Sequence, residues 1–427
     1  MRWSVPFVLA FMAATMSAAD SKLVAVKYGK LWDGHKVIDG ALVVIQGDRI
    51  QSVTPGNPAP PAGARVVDWS HYFGLPGLID VHTHMTYYWD RQPGTRPLGQ
   101  QSRMPAVTVF LAQENARKTL AAGVTTVRDL GSQDFTDMAM RDLINRGAMV
   151  GPRMFVCGYG LSVPRARPGV PPVFSPGTAD SPESVMKAVR YMVASGVDVI
   201  KMYGSVGGFD NVGTQQTFTY EEMRAAVEVS HTMGKKIAIH SYGPEGGRDA
   251  VRAGADSLEH AVDLDDATLA QMVKQGTYYV PTIDHNRYYV EAADEYQFAP
   301  GYDKKLNNYI QRNFETAKRA FQAGVKFAMG SDAVYTMFGQ NTHELTWFVK
   351  LGMTPEQALQ TATVNAAELL GQSENLGAVA PHYFADMIAV EGDPLHDVGV
   401  AINNIHGVMK GGKVYLPSKP AADSSTN

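Results

Sequence analysis

An alternation constrains this chain more than any other feature. Eight apolar, strand-like runs recur between Gly77 and Ala333: "GLIDVHTH", "VTTVRDLG", "RMFVCGYG", "VDVIKMYGS", "KIAIHSYG", "DSLEHA", "TYYVPTI" and "VKFAMGSDA". Amphipathic segments fill most of the gaps, such as "MPAVTVFLAQENARKTLAAG", "SPESVMKAVRYMVASG", "TYEEMRAAVEVSHTMG" and "DDATLAQMVKQG". Several close on glycine just before the next strand, a normal helix stop. Eight strands with interleaved helices over roughly 300 residues predict an α/β fold, a (β/α)8 TIM barrel, across residues 73–380. An open doubly wound sheet is the alternative, but no Gly-rich phosphate loop favours it.

The two ends of the chain read differently from the middle. "KLVAVKYGKLWDG", "ALVVIQGDRIQSV" and "ARVVDW" near the start are short alternating runs between turn residues. "ADMIAVEGDPL" and "GVMKGGKVYL" near the end resemble them, with a hairpin turn at Gly411-Gly412. Residues 20–72 and 381–418 are therefore expected to combine in one small β-sandwich. Residues 419–427 read as a loose polar tail.

Composition excludes some functions. A formal net charge of −4 without a basic cluster argues against a nucleic-acid partner. The single cysteine, Cys157, allows neither an intrachain disulfide nor a cysteine-based zinc cluster, and its apolar run marks it as a core residue. The first 19 residues have the pattern of a secretory signal peptide. Arg2 precedes an apolar stretch from Val5 to Met16, and Ser17, Ala18 and Ala19 provide a cleavage site after Ala19. The stretch is short for a membrane anchor, the competing reading. The expectation is export to a bacterial periplasm or beyond, with no membrane attachment after cleavage. A homo-oligomer is left open.

In such a barrel, chemistry gathers at the C-terminal ends of the strands. Strand one ends in His82 and His84, which share a face because residues two apart along a strand do. Strand four ends in Lys201, strand five in His240, strand six in His260 and strand eight in Asp332. Any one of these has an ordinary reading: a hydrogen-bonded core histidine, a snorkelling lysine, a turn aspartate. Five strand ends used alike are harder to explain without a shared ligand, since burying so many polar groups unpartnered is costly.

The motifs resemble those of the amidohydrolase superfamily, in its imidazolonepropionase-like and Xaa-Pro dipeptidase-like branch. "PGLIDVHTH", "GVTTVRDLG" and "GMTPEQALQTATVNAAELLG" followed by "ADMIAV" and "DPL" carry the likeness. The resemblance implies two divalent metal ions, expected to be zinc. His82, His84 and Asp332 would hold one, His240 and His260 the other, and Lys201, carboxylated by carbon dioxide, would bridge both. A mononuclear site would leave Lys201 and His260 unexplained. It further implies a metal-bridging hydroxide, Asp332 as general base and acid, and Tyr242, two residues beyond His240, as oxyanion donor.

Weaker signals complete the reading. Tyr203, Ser205 and Gly207 follow Lys201 in a glycine-rich loop suited to a substrate carboxylate. His285 follows strand seven as a pocket-lining candidate. "MTYYWD", with Tyr88, offers an aromatic wall. Arg128 and Asp129 read as an ion pair, and Glu259, beside His260, is expected to point away and carry no role. His231 and His343 read as packing or surface residues. Two departures from the family pattern stand out: Phe338-Gly339 in place of His-Gly before "QNTHEL", and His382 in place of a glycine.

The functional expectation is a hydrolase of an amide bond, a dipeptidase or carboxypeptidase for dipeptides or N-acyl amino acids. The alternatives are another small amide, cyclic amide or lactone, an aromatic amide included, or an inactive binding protein on the same scaffold.

Overall fold

The structure, a computed structural model, describes residues 23–97, 103–167, 170–206 and 215–415. The signal-peptide reading, Gly207 and the tail at 419–427 lie outside them.

All eight expected barrel strands form. We number them β1 (Leu78–Thr83), β2 (Val124–Asp129), β3 (Arg153–Val156), β4 (Ile200–Tyr203), β5 (Ile237–Ser241), β6 (Ser257–His260), β7 (Tyr278–Val280) and β8 (Lys326–Phe327). β1 to β3 pair in parallel, and so do β4 to β8. Backbone hydrogen bonds close the two seams. The Leu161 N–H donates to Lys201 at 2.8 Å, and the Tyr203 N–H to Leu161 at 2.9 Å. Across the other seam Val81 donates to Met329 at 2.9 Å and Asp332 to His82 at 2.7 Å.

Strand parity sorts the side chains. Leu130, Cys157, Val199 and Ala238 form a small inner cluster. Val127, Met202, Ile239 and Leu258, offset by one, pack outward into the large core shared with the helices. Cys157 is thus a core residue, and burial pushes its thiol well up.

The helices begin and end where local chemistry directs. Ser181 caps Pro182–Ser195, which stops at Gly196 in the left-handed conformation. Thr219 and Glu222 form a capping box at the start of Tyr220–Thr232, and Asp265 caps Asp266–Gln275. No described helix is long and apolar enough to cross a membrane.

Both chain ends share one eight-stranded sheet. Its strand Arg65–Pro76 pairs in parallel with Val24–Trp32 and antiparallel with Met387–Val390. The hairpin between Ile405–Lys410 and Lys413–Tyr415 turns at Gly411 and Gly412, both with positive φ. Val26, Tyr28, Leu31, Ile45, Met387 and Met409 fill the core of this unit. The strand Arg65–Pro76 runs almost directly into β1. Only Gly77 intervenes, and a Cβ there would meet Thr125 Oγ1 at 2.2 Å. The β domain therefore delivers the two opening histidines into the barrel through a point where only glycine fits.

Candidate metal centre

The strand ends bring six of the expected residues together. His82, Lys201, His260 and Asp332 are buried, as are His84 and His240 at the rim. Nε2 of His82 lies 3.4 Å from the Lys201 amine and 3.5 Å from Asp332 Oδ1. Nε2 of His84 lies 3.1 Å from the same carboxylate oxygen. The His240 and His260 rings meet edge to face at 4.6 Å, and the His260 ring lies 5.0 Å from that of His82.

Hydrogen bonds aim these rings. His82 directs Nδ1 at Glu259 Oε2, 2.8 Å away, so that nitrogen carries the proton and Nε2 offers a lone pair to the centre. His84 does likewise with the Gly131 carbonyl at 3.2 Å. His260 engages Thr282 Oγ1 through Nδ1 at 2.6 Å.

His260 also needs an unusual backbone. In β6, Ser257 and Glu259 face inward, as their 2.5 Å hydrogen bond shows, and Leu258 faces the outer core. Parity would send His260 outward. Its φ of 73° breaks the alternation and turns the ring to the rim. The expectation that Glu259 points away is therefore wrong. It occupies the inward position, and accepts from His82 and from Arg128 at 2.8 Å each.

Asp332 is held in a similar way, with φ of 52°. The turn that carries it is tied to β1 by the buried Asp80, which accepts from the Ser331 N–H at 2.9 Å and from Asn341 at 3.0 Å. Gly330 packs so closely that a Cβ would meet His82 Cβ at 2.8 Å.

The charges follow from burial. Burial and the neighbouring Lys201 hold His82 well below the usual imidazole range. Burial and the other histidines do the same for His240, and burial brings His260 to about 3. Burial lowers the Lys201 amine to about 8. Burial alone would raise the Asp332 carboxyl, but the imidazoles of His285, His82 and His84 outweigh it and hold it well below the carboxylate range. Burial thus favours neutral imidazoles at His82, His240 and His260, Asp332 is held as a carboxylate, and Lys201 gains an accessible neutral form.

Other candidates fare unevenly. His285 is nearer the chemistry than a wall residue, with Nε2 3.2 Å from Asp332 Oδ2. Its helix, Ile283–Glu291, is capped by the buried Glu344, which accepts from the Ile283 and Asp284 N–H groups at 2.9 and 2.7 Å. The "QNTHEL" segment is thereby explained, since Asn341 braces Asp80 and Glu344 seats His285. Tyr242 stacks on the His260 ring at 5.0 Å and meets His240 edge-on at 4.7 Å. Tyr203 lies beside the Lys201 amine, its ring centre 5.5 Å away.

Tyr88 does not line the centre. Its hydroxyl donates to Glu114 at 2.9 Å, while Tyr87 stacks on His84 at 4.7 Å. The Ser205 hydroxyl accepts from the Tyr242 N–H at 2.9 Å and donates to the Val206 carbonyl at 3.0 Å. Arg128 and Asp129 point to different partners. Asp129 accepts from the Met85 N–H at 2.5 Å. His231 pairs with Asp256 at 2.8 Å, and His343 approaches Arg287 at 3.4 Å. His382 has φ of 75°, so it stands where glycine would be relaxed.

Residues 73–415 match the amidohydrolase family.

The chain belongs to the amidohydrolase family.

This amidohydrolase is 29% identical over 375 residues to an ochratoxinase from Aspergillus niger, covering 80% of this chain and 75% of that protein. Among solved structures it resembles a Xaa-Pro dipeptidase with bound methionine, at a TM-score of 0.84 and 31% identity over 92% of this chain and 100% of the other. It also resembles a prolidase complexed with N-methylphosphonate-L-proline, at a TM-score of 0.81 and 25% identity over 92% and 100% of the two chains.

The residues of this amidohydrolase fit divalent metal. Donor atoms of His82, His260 and Asp332 lie within 4.8 Å of one another. Nε2 of His240 is buried without a hydrogen-bond partner among the described residues. Such an orphan costs about 1–3 kcal/mol, which a metal ligand bond would remove.

Proposed function

We propose that this amidohydrolase is a zinc-dependent dipeptidase or carboxypeptidase that cleaves dipeptides or N-acyl amino acids bearing a free carboxylate. The observation that carries the reading is the convergence of His82, His84, Lys201, His240, His260 and Asp332 on one strand rim. Likeness to a Xaa-Pro dipeptidase and a prolidase supports the choice of bond.

In this reading His82, His84 and Asp332 would hold one ion, His240 and His260 would hold the other, and Lys201, carboxylated, would serve both. An amine lowered to about 8 has an accessible neutral form, and adding carbon dioxide with loss of a proton makes it an anion with two oxygens. A bound pair of divalent ions polarises a carbonyl and makes water a stronger acid.

The protein's own groups do the rest. Asp332, anionic, accepts the proton of the attacking water and passes it to the leaving amine. His285, 3.2 Å from carboxylate oxygen Oδ2, holds it in place. Tyr242, packed against His240 and His260, donates to the oxygen that gains charge. Hydrolysis of an aromatic amide is a second reading, motivated by Tyr87 and Tyr335, 5.9 Å apart, next to His84.

We read residues 1–19 as a signal peptide and the periplasm as the address. Amino-terminal sequencing of the mature protein should begin at Asp20. The function is tested with a panel of dipeptides, N-acyl amino acids and aromatic amides, with zinc and then with chelator. Cleavage that chelator stops is expected, and resistance of every member sinks the reading.

A further inference from the structure

Beneath the candidate metal centre lies a buried ionic network that the mechanism above does not use. Glu259 is fully buried, and each of its oxygens is engaged. Oε2 accepts from His82 Nδ1 at 2.8 Å. Oε1 accepts from Arg128 at 2.8 Å and from Ser257 Oγ at 2.5 Å. Arg128, 1% exposed, spends its other donors on the Val81 carbonyl at 2.6 Å and on Ser257 Oγ at 3.0 Å. The network joins β1, β2 and β6 inside the barrel and meets the centre at His82 Nδ1.

Packing alone does not explain that choice. Apolar side chains would fill the same space, and a buried ion pair is often no more stabilising than its apolar replacement. Its position does explain it. A carboxylate on the far nitrogen of a ligating histidine fixes the tautomer, locks the ring plane and raises the basicity of the near nitrogen. Arg128 completes the arrangement, since its contact at 2.8 Å holds the Glu259 carboxylate in place.

We infer that Glu259 is a positioning residue for the metal site. It acts through His82, and Arg128 and Ser257 hold it in register. The inference rests on the metal reading above and deepens it: metal affinity should depend on a carboxylate that touches neither metal nor substrate.

The test measures metal retention, not turnover. Zinc-loaded wild type, Glu259→Gln and the double variant Arg128→Met/Glu259→Gln are mixed with a fixed excess of chelator, and zinc release is followed with a coloured indicator. Unfolding midpoints of the metal-free proteins are measured alongside. The double variant removes both charges, so a variant that leaves Arg128 buried alone is not the sole evidence.

Both variants should hold zinc roughly 10- to 100-fold more weakly than wild type, while the metal-free double variant unfolds close to the wild-type midpoint. A folded double variant that keeps wild-type zinc affinity overturns the inference. So does a double variant that cannot fold, because the pair would then serve the barrel and not the metal. Wild type that takes up no divalent ion sinks the metal reading itself, and this assignment with it.

Discussion

The Asp332 carboxylate and the His285 imidazole face each other, Oδ2 to Nε2, at 3.2 Å. The other oxygen lies 3.1 Å from His84 Nε2, so it faces the centre while His285 braces the carboxylate from the far side. Replacing His285 with alanine frees one side without removing any of the six expected metal ligands. The expected result is a fall in turnover of roughly 10- to 100-fold with zinc content unchanged. Steady-state kinetics with metal analysis checks it, and unchanged turnover would leave His285 with no part in the chemistry.

Lys201 makes a prediction about activation. With the amine near 8, about a tenth of the side chain is neutral at pH 7 and about nine-tenths at pH 9. Only the neutral amine takes up carbon dioxide. Metal-free protein given zinc and bicarbonate should therefore regain activity faster as pH rises through about 8, and Lys201→Met should not respond to bicarbonate. Reactivation indifferent to bicarbonate and pH contradicts the carbamate.

Acid should loosen the barrel before it reaches ordinary carboxylates. His260 is lowered to about 3, and His82, His240 and His285 are lowered by the same burial. A histidine depressed in the folded state binds its proton more readily once unfolded, so it favours folding fully above about 6.5 and loses that contribution as pH falls toward 3. Asp332, also depressed, works in the same direction. The unfolding midpoint of the metal-free protein should drop steadily from pH 7 to 4, and less steeply in His260→Gln. A flat profile would mean these rings are not buried neutral.

Two neighbouring tyrosines should behave differently. Tyr87 stacks on His84, whereas Tyr88 bonds Glu114 away from the centre. Tyr87→Ala should lower kcat/KM about tenfold or more, and Tyr88→Ala should stay within about twofold. The opposite order would relocate the substrate wall.

The same pair shows what the sequence could and could not reveal. The barrel was legible because each strand has its apolar run and several helices have a glycine stop. Three strand ends were legible because parity works in regular strands: His82, His84, Lys201 and His240 point where alternation sends them. Glu259 was missed because alternation fails at His260. A left-handed residue turns that ring inward, and no residue type in "SLEHA" announces it. Arg128 was paired with its sequence neighbour because its true partner lies 131 positions away. Tyr87 and Tyr88 share chemistry, and only the turn after β1 decides which one packs on His84. The "QNTHEL" segment held a usable signal: an asparagine and a glutamate three positions apart, just ahead of an apolar helix, both of them buried braces.

Anomalous scattering at the zinc edge, from crystals grown with zinc and bicarbonate, would locate the ions outright. Two peaks about 3.5–4 Å apart are expected, one among His82, His84 and Asp332, the other at His240 and His260, with Lys201 density bridging them. Peaks elsewhere, or no ion between these side chains, would contradict the paired-metal centre.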